Sequence, residues 1–366
     1  MKVGERVRIA LVGCGAVATV GYLPAIRRSA SIDLPATMGM GWQAERMKWK
    51  AAEVTVLIDR DLARAEALAA EFGIPYACAD YRAVLPDVDA AILALPHALH
   101  APIGVEFLRH GIHVLVEKPM ALNVAECDAL IGAARQNGAT LAVGIVRRFL
   151  PSYQFVKVAL QAGLLGKIVS FDVREGAIYG WPVASDFFFR KETAGGGVLI
   201  DTGAYTMDMV QWWFGNCKSL EYFDDSMGGV EANCEINLQM EDGVQGHVEL
   251  SRTRNLRNTV IVRAERGTIE MSLHTPSVSI ALSDSDARVV GNVLKVDQLE
   301  PSREPFLDLL RAELEDWVEA IIDRRPPSVS GEEGRKSVAL IEACYGNRRT
   351  LQLPWESPNS TERTDA

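Results

Sequence analysis

Two sets of residues in this 366-residue chain have types and spacing suited to chemistry. The first is Gly13-Cys14-Gly15-Ala16-Val17-Ala18, a GxGxxA element that follows the apolar run Arg8-Ile9-Ala10-Leu11-Val12. In such an element the first glycine makes a tight turn and the second lets backbone amides approach a pyrophosphate. The small third residue permits close packing of helix on strand. The second set is Lys118, which follows a short apolar strand, together with Asp201, Tyr205 and Asp208, whose spacing of four and three sets them on one face of a helix. Hydride transfer to a nicotinamide requires the alcohol to lose a proton, and the reverse reaction requires a donor to the carbonyl. A phenol with its usual pKa of about 10 is a poor base at neutral pH, and an ammonium beside it stabilises the phenolate. Lys118 is expected to supply that charge to Tyr205, with Asp201 orienting Lys118 or a substrate hydroxyl. By residue type alone, a lysine at a strand end is also an ordinary solvated terminus, and a tyrosine at helical spacing an ordinary core residue.

The elements that must position these residues are legible in the hydrophobic pattern. Apolar runs at 8–12, 54–58, 90–94 and 113–116 read as strands buried on both faces, as in a parallel sheet. Helical patterns at 62–72, 99–109 and 124–137 alternate with them, the last opened by Asn123 and Glu126 as a capping box. Residues 1–148 are therefore expected to form a doubly wound Rossmann domain, with an insertion at 29–53 rich in Met and Trp. Past Phe149-Leu150-Pro151 the pattern changes. A helix over 153–162 precedes strand-like segments at 167–178, 234–240, 244–251, 259–264 and 267–273, and helices at 305–323 and 332–347 close the fold. Residues 149–355 are expected to form an α+β domain with a largely antiparallel open sheet that binds substrate and carries oligomer contacts; 356–366 reads as a disordered tail. The fold class is thus α/β followed by α+β.

The bulk numbers exclude several functions. With 48% hydrophobic and 23% charged residues the chain is an ordinary globular protein, and no apolar stretch approaches a bilayer span. A net charge of −10 argues against nucleic-acid or anionic-membrane partners, which need a condensed field of Lys and Arg. Six scattered cysteines form no CxxC pair and no metal-ligand spacing, which fits free thiols and no metal. The first strand starts so early in the sequence that a signal peptide finds no room, and a cytoplasmic location is expected.

Asp59 ends the second strand, from which a carboxylate can accept hydrogen bonds from an adenosine ribose and repel a 2′-phosphate. NAD is therefore expected over NADP, although Arg60 beside it could partner a 2′-phosphate; a helix-capping role for Asp59 is the plain alternative.

Glu117-Lys118-Pro119, with Pro96-His97-Ala98-Leu99-His100 upstream, resembles the Gfo/Idh/MocA group of oxidoreductases. The resemblance runs on through Arg147-Arg148-Phe149, Gly163 to Ile168, Gly195-Gly196-Gly197-Val198-Leu199-Ile200-Asp201 and Leu351-Gln352-Leu353-Pro354. It implies that Lys118 is catalytic and that Asp201 matches the aspartate after the triple glycine. Where the family has a histidine four residues later, this chain has Tyr205, as some members do. The resemblance also implies that the loop of Leu95, Pro96, His97 and His100 runs beside the cofactor, and that Glu117 contacts the nicotinamide ribose. For His97 a packing role is equally open.

For substrate, Arg148, Tyr179, Trp181 and Arg190 join Lys118, Asp201 and Tyr205, because aromatics beside charged groups suit sugars. Asp186 and Lys191 are further candidates. Arg252, Arg254 and Arg257 read as strand and turn residues in which subunit pairing competes with substrate. The leading expectation is an NAD(P)-dependent dehydrogenase or ketoreductase acting on a sugar, nucleotide sugar or cyclitol. The alternatives are a redox-assisted glycosidase and a non-catalytic NAD(P)-binding regulator. A homodimer or homotetramer is expected, because an antiparallel sheet leaves one face to be covered.

Overall fold

The computed structural model describes residues 6–31, 51–182, 185–295, 300 and 302–352. Most of the expected insertion, the expected tail, and Leu353-Pro354 lie outside these residues; of the insertion's expected bounds, the first helix runs on to Ser31 and the second strand already begins at Ala52.

The first sheet holds β1 (Val7–Val12), β2 (Ala52–Ile58), β3 (Tyr76–Cys78), β4 (Ala90–Leu93), β5 (His113–Glu117) and β6 (Leu141–Gly144). Its order is β3-β2-β1-β4-β5-β6 and every pairing is parallel. The strand order reverses beside β1, so a crevice opens at the C-terminal ends of β1 and β4, where such sheets bind ligands. The near-continuous burial of β1, β4 and β6 follows from helices on both faces. These are α1 (Leu23–Ser31), α2 (Leu62–Phe72), α3 (His100–Arg109) and α4 (Val124–Asn137). A π-helical turn over Ala18–Tyr22 leads into α1. The α4 cap forms with a variation: Asn123 accepts from the Glu126 N–H at 2.9 Å, while Glu126 reaches back to the Leu122 N–H at 3.1 Å.

After α5 (Pro151–Gln161) and β7 (Ile168–Gly176) come the short helices α6 (Lys191–Ala194) and α7 (Val198–Asp201), then α8 (Gly203–Phe214). The remaining strands are β8 (Cys217–Asp224), β9 (Asn233–Met240), β10 (Gln245–Ser251), β11 (Thr259–Ala264), β12 (Gly267–Ser272), β13 (Ser277–Leu282) and β14 (Arg288–Asn292). They are followed by α9 (Pro305–Asp323), α10 (Gly331–Gly346) and β15 (Arg348–Thr350). The second sheet has nine strands in the order β14-β13-β12-β11-β7-β10-β9-β8-β15. Its pairings are antiparallel except β7 with β10 and β8 with β15. Alternation is clean along β12, where Gly267, Ile269 and Met271 are buried and their neighbours half-buried.

The chain does not divide simply at residue 149. Helix α9 belongs by sequence to the later part, yet its Leu310, Leu314, Trp317, Val318 and Ile321 are buried in one cluster with Val7, Ile9 and Leu11 of β1. The last long helix but one therefore covers a face of the first sheet.

Candidate active site

The glycine element folds as its residue types require. Gly13 has φ +97°, and a Cβ there would stand 2.2 Å from the Ala94 carbonyl oxygen, so no other residue fits. Its N–H donates to the Ile58 carbonyl at 2.7 Å, which ties the turn to β2. A Cβ on Gly15, by contrast, would meet no protein atom within 4 Å. A turn whose second glycine faces outward at a helix start fits a dinucleotide pyrophosphate. Leu95 lies against Gly13, which sets the β4 loop beside the turn.

Asp59 is bound to that turn: its carboxylate accepts from the Cys14 N–H at 2.8 Å and the Asp61 N–H at 2.9 Å. Asp61, not Asp59, caps α2 by accepting from the Arg64 N–H. The Cys14 amide is thus spent within the protein, and burial pushes its thiol up to about 12, so Cys14 offers neither to a ligand. Arg60 is exposed.

Four elements converge on Asp201. Lys118, directly after β5, places Nζ 2.6 Å from Asp201 Oδ1. Arg252, directly after β10, places a guanidinium nitrogen 2.6 Å from Oδ2. These two cations outweigh burial and hold the Asp201 carboxyl far below the usual range. Gly197 starts α7, where a Cβ would meet the Glu231 carbonyl oxygen at 1.8 Å. Glu231 then accepts from the Leu199 N–H at 3.0 Å and from the Tyr345 hydroxyl at 2.8 Å, fixing the turn that carries Asp201. Tyr205, at the start of α8, has Lys118 Nζ 5.1 Å and the Arg147 guanidinium 4.5 Å from its ring centroid.

The structure corrects the expected effect of Lys118 on Tyr205. The Tyr205 phenol is pushed well above its ordinary value, first by burial and then by the Glu117 carboxylate, with Arg147 opposing. Lys118 stands over the ring and its charge is engaged by Asp201, so it does not create a phenolate. Tyr205 is therefore a neutral hydroxyl, fit to donate a hydrogen bond.

Glu117 is buried and accepts from the Tyr22 hydroxyl at 2.8 Å and from the Lys118 N–H at 3.0 Å. Tyr22 also meets Glu313 of α9 at 3.3 Å. Burial pushes both carboxyls up, Glu313 well above the usual range. The nearer acceptor of the tyrosine proton is Glu117, and burial favours the protonated form of Glu313 more strongly than that of Glu117.

His97 and His100 shape loops. His97 Nδ1 lies 2.8 Å from the Ala194 carbonyl, joining the β4 loop to α6. His100 sits between the carbonyls of Pro119 and Leu95 at 2.8 and 2.9 Å, bracing the Lys118 loop against the β4 loop. Burial pushes the two rings down to about 3 and about 4, so both are neutral and His100 donates to one carbonyl at a time. For His97 these contacts fit the packing role that the sequence leaves open.

Among the substrate candidates, Arg148 is corrected outright. It is buried, clamped by Asp208 at 2.8 and 2.7 Å, paired with Glu333 at 3.0 Å and stacked on Trp212. Its neighbour Arg147 is the one against Tyr205, held there by Glu175 at 3.0 and 2.5 Å. Arg190 is exposed and paired with Asp186, and Lys191 is exposed as well. Trp181 is exposed, edge-on to Phe306 of α9. Tyr179 does reach the site: the Arg252 guanidinium lies 4.9 Å from its ring centroid, and its hydroxyl is buried with no hydrogen-bond partner among the described residues. Among the described residues no group of His, Cys, Asp and Glu is placed to hold a metal ion, and no helix is long and apolar enough to cross a membrane.

A parallel sheet with its glycine turn and strand-end acid, and a second sheet bringing an arginine to the same carboxylate as the lysine, define a two-part dinucleotide-binding oxidoreductase. Residues 7–145 match the family model of the oxidoreductases with an NAD-binding Rossmann fold, and 153–270 match the GFO/IDH/MocA C-terminal domain. The chain belongs to the Gfo/Idh/MocA oxidoreductase family. It is similar to a trans-1,2-dihydrobenzene-1,2-diol dehydrogenase of Mus musculus, 33% identical over 59% of this chain and 65% of that one. It is also similar to D-xylose 1-dehydrogenase (NADP(+)) 2 of Haloferax volcanii, 28% identical over 81% of this chain and 90% of the relative. Among solved structures, the WlbA dehydrogenase from Bordetella pertussis in complex with NADH and UDP-GlcNAcA shares the fold. Its TM-score is 0.75 at 20% identity, covering 94% of this chain and 96% of that one.

Proposed function

We propose that this protein is an NAD(P)-dependent dehydrogenase that moves a hydride between nicotinamide and a hydroxyl-bearing or keto carbon of a sugar, nucleotide sugar or cyclitol. Lys118 and Tyr205 handle the substrate proton together. The observation that carries the reading is the meeting of Lys118, Asp201 and Tyr205 at the end of β5, beside a turn that fits a pyrophosphate. The nicotinamide supplies hydride chemistry when bound. The chain's own part is to hold the reacting oxygen between an ammonium and a neutral phenol, each able to donate to it. Lys118 is the member that exchanges the proton, and Asp201 aims it. Gly13, Gly15, Ala16, Val17, Ala18, Asp59, Leu95, Pro96 and Glu117 would hold the dinucleotide. Tyr179 and Trp181 would face the substrate.

Asp59 at the turn supports NAD over NADP, and a clearly higher kcat/KM with NADPH reverses that preference. The proposed division has residues 1–148 binding cofactor and 149–355 presenting substrate, with α9 lent back to the first sheet. A homodimer or homotetramer through the uncovered face of the second sheet, and a cytoplasmic location, complete the proposal. Sedimentation equilibrium tests the assembly. For the mechanism, turnover of Lys118→Ala and Tyr205→Phe is measured with cofactor affinity checked separately. A kcat near wild type in both variants refutes it.

A further inference from the structure

The second cation on Asp201 was not called for by any element of the proposed chemistry. Arg252 comes from the far sheet, one residue past β10, and is held through its backbone and one guanidinium nitrogen, while its buried Nε has no hydrogen-bond partner among the described residues. Its N–H donates to the Ala232 carbonyl at 2.8 Å and its own carbonyl accepts from the Tyr179 N–H at 2.9 Å. The guanidinium lies on the Tyr179 ring, and the side chain is only 9% exposed. Such an arginine has little freedom, so the positive charge it presents to a carboxylate is fixed in place. Asp201 is the shared partner. Arg252 holds Oδ2 at 2.6 Å while Oδ1 receives Lys118 Nζ at 2.6 Å, so each carboxylate oxygen has its own cation.

We infer that Arg252 is a positioning residue for the reaction: its contact to Oδ2 holds the Asp201 carboxylate in the orientation that aims Lys118. This rests on the proposed role of Lys118 and extends it to a residue on the second sheet. The groups that face Asp201 are Lys118 after β5, Arg252 after β10, the neutral His97 in the loop after β4, and Tyr179 after β7. Glu117 and Tyr205 lie further out. Only Lys118 and Arg252 carry positive charge among these, so removing Arg252 leaves a buried carboxylate with one cation. The sign then follows. With one counter-charge lost, burial weighs more heavily, and the variant's Asp201 takes up a proton at higher pH than the native one. A protonated Asp201 holds Lys118 less firmly, so an acid limb should enter the pH–rate profile of the variant and not of the wild type.

The test uses the full-length protein with NAD and a turned-over sugar alcohol, comparing Arg252→Met, Arg252→Gln and Arg252→Lys. Expected for Met and Gln are a fall in kcat of roughly 10- to 100-fold, KM and cofactor Kd within about threefold of wild type, and an acid limb that the wild-type profile lacks. Lys should recover a large part of kcat and the native profile, since a cation on Oδ2 is what matters. A crystal structure of Arg252→Gln should show Asp201 rotated and the contact to Lys118 lengthened beyond hydrogen-bond distance. The inference is overturned if Arg252→Gln keeps wild-type kcat and pH profile, or if Gln and Lys lose activity equally with no change in profile, which marks a packing role. If Met does not fold, the Gln and Lys pair decides. Inactive Lys118→Ala beside fully active Arg252 variants sinks this inference alone, whereas active Lys118→Ala sinks the reading beneath it.

Discussion

Replacing Arg148 by methionine separates a structural arginine from a substrate-binding one. The variant keeps side-chain volume but removes the guanidinium that makes two hydrogen bonds to Asp208, of 2.8 and 2.7 Å, in a site where both side chains are under a tenth exposed. Taking one partner from a buried ion pair costs about 3–5 kcal/mol, because the other charge stays behind without compensation. Burial already pushes the Asp208 carboxyl up with the guanidinium in place, and without it the push goes further. A carboxyl whose folded pKa is raised destabilises the fold above its unfolded value, and protonation relieves that at about 1.4 kcal/mol per pH unit. The loss should therefore stand near its full size at pH 8 and shrink as the pH falls to 5.5. Urea unfolding at the two pH values measures it, with Arg148→Met/Asp208→Leu as the second corner of a cycle that should recover much of the stability. KM for the sugar should stay within about twofold in the single variant. A stability change under about 1 kcal/mol at pH 8, or a large rise in KM at unchanged stability, would refute the structural role argued from this geometry.

Two further outcomes test other parts of the site. Gly13→Ala and Gly15→Ala should part company: the first forces a Cβ onto the Ala94 carbonyl and lowers Tm, while the second meets no protein atom, melts like wild type and weakens NAD binding at least about tenfold by fluorescence titration. For Glu313→Gln the sign comes from a folded pKa raised above the unfolded one: native stability is complete below about pH 4.3 and declines as the pH climbs toward the folded value. The variant should therefore match wild type near pH 4 and melt higher at pH 8 by scanning calorimetry, and equal melting at both would count against a protonated Glu313.

The first sheet was readable because burial on both faces leaves little choice of residue. The patterns at 62–72 and 124–137 are the helices α2 and α4 to the residue. Strands with one wet face were harder. β8 reads Cys-Lys-Ser-Leu-Glu-Tyr-Phe-Asp, and β14 is exposed along its whole length, so neither shows an apolar period. Lys118, Asp201 and Tyr205, which motif and helical spacing single out, come together in the structure. Arg252 reads from the sequence only as a strand or turn residue open to subunit pairing or substrate, because its partner Asp201 lies 51 residues away and its local sequence, Ser-Arg-Thr-Arg, looks like a turn. The choice of Arg148 over Arg147 failed for a related reason: in a run of adjacent arginines no local pattern says which one turns inward. Tyr22 and Glu313 carried no signal at all, since their meeting depends on α9 returning across 291 residues.

That return makes the order of synthesis matter. A ribosome releases β1 to β6 long before residues 305–323, so the flank of the nascent sheet destined for Leu310, Leu314, Val318 and Ile321 stays wet until α9 has been made. At about 1.5–3 kcal/mol for each side chain that finally docks, the four together are comparable with the whole margin by which a domain is folded. The nucleotide half therefore matures last although it is made first, and a chain truncated before α9 should be a client for chaperones rather than a small NAD-binding module.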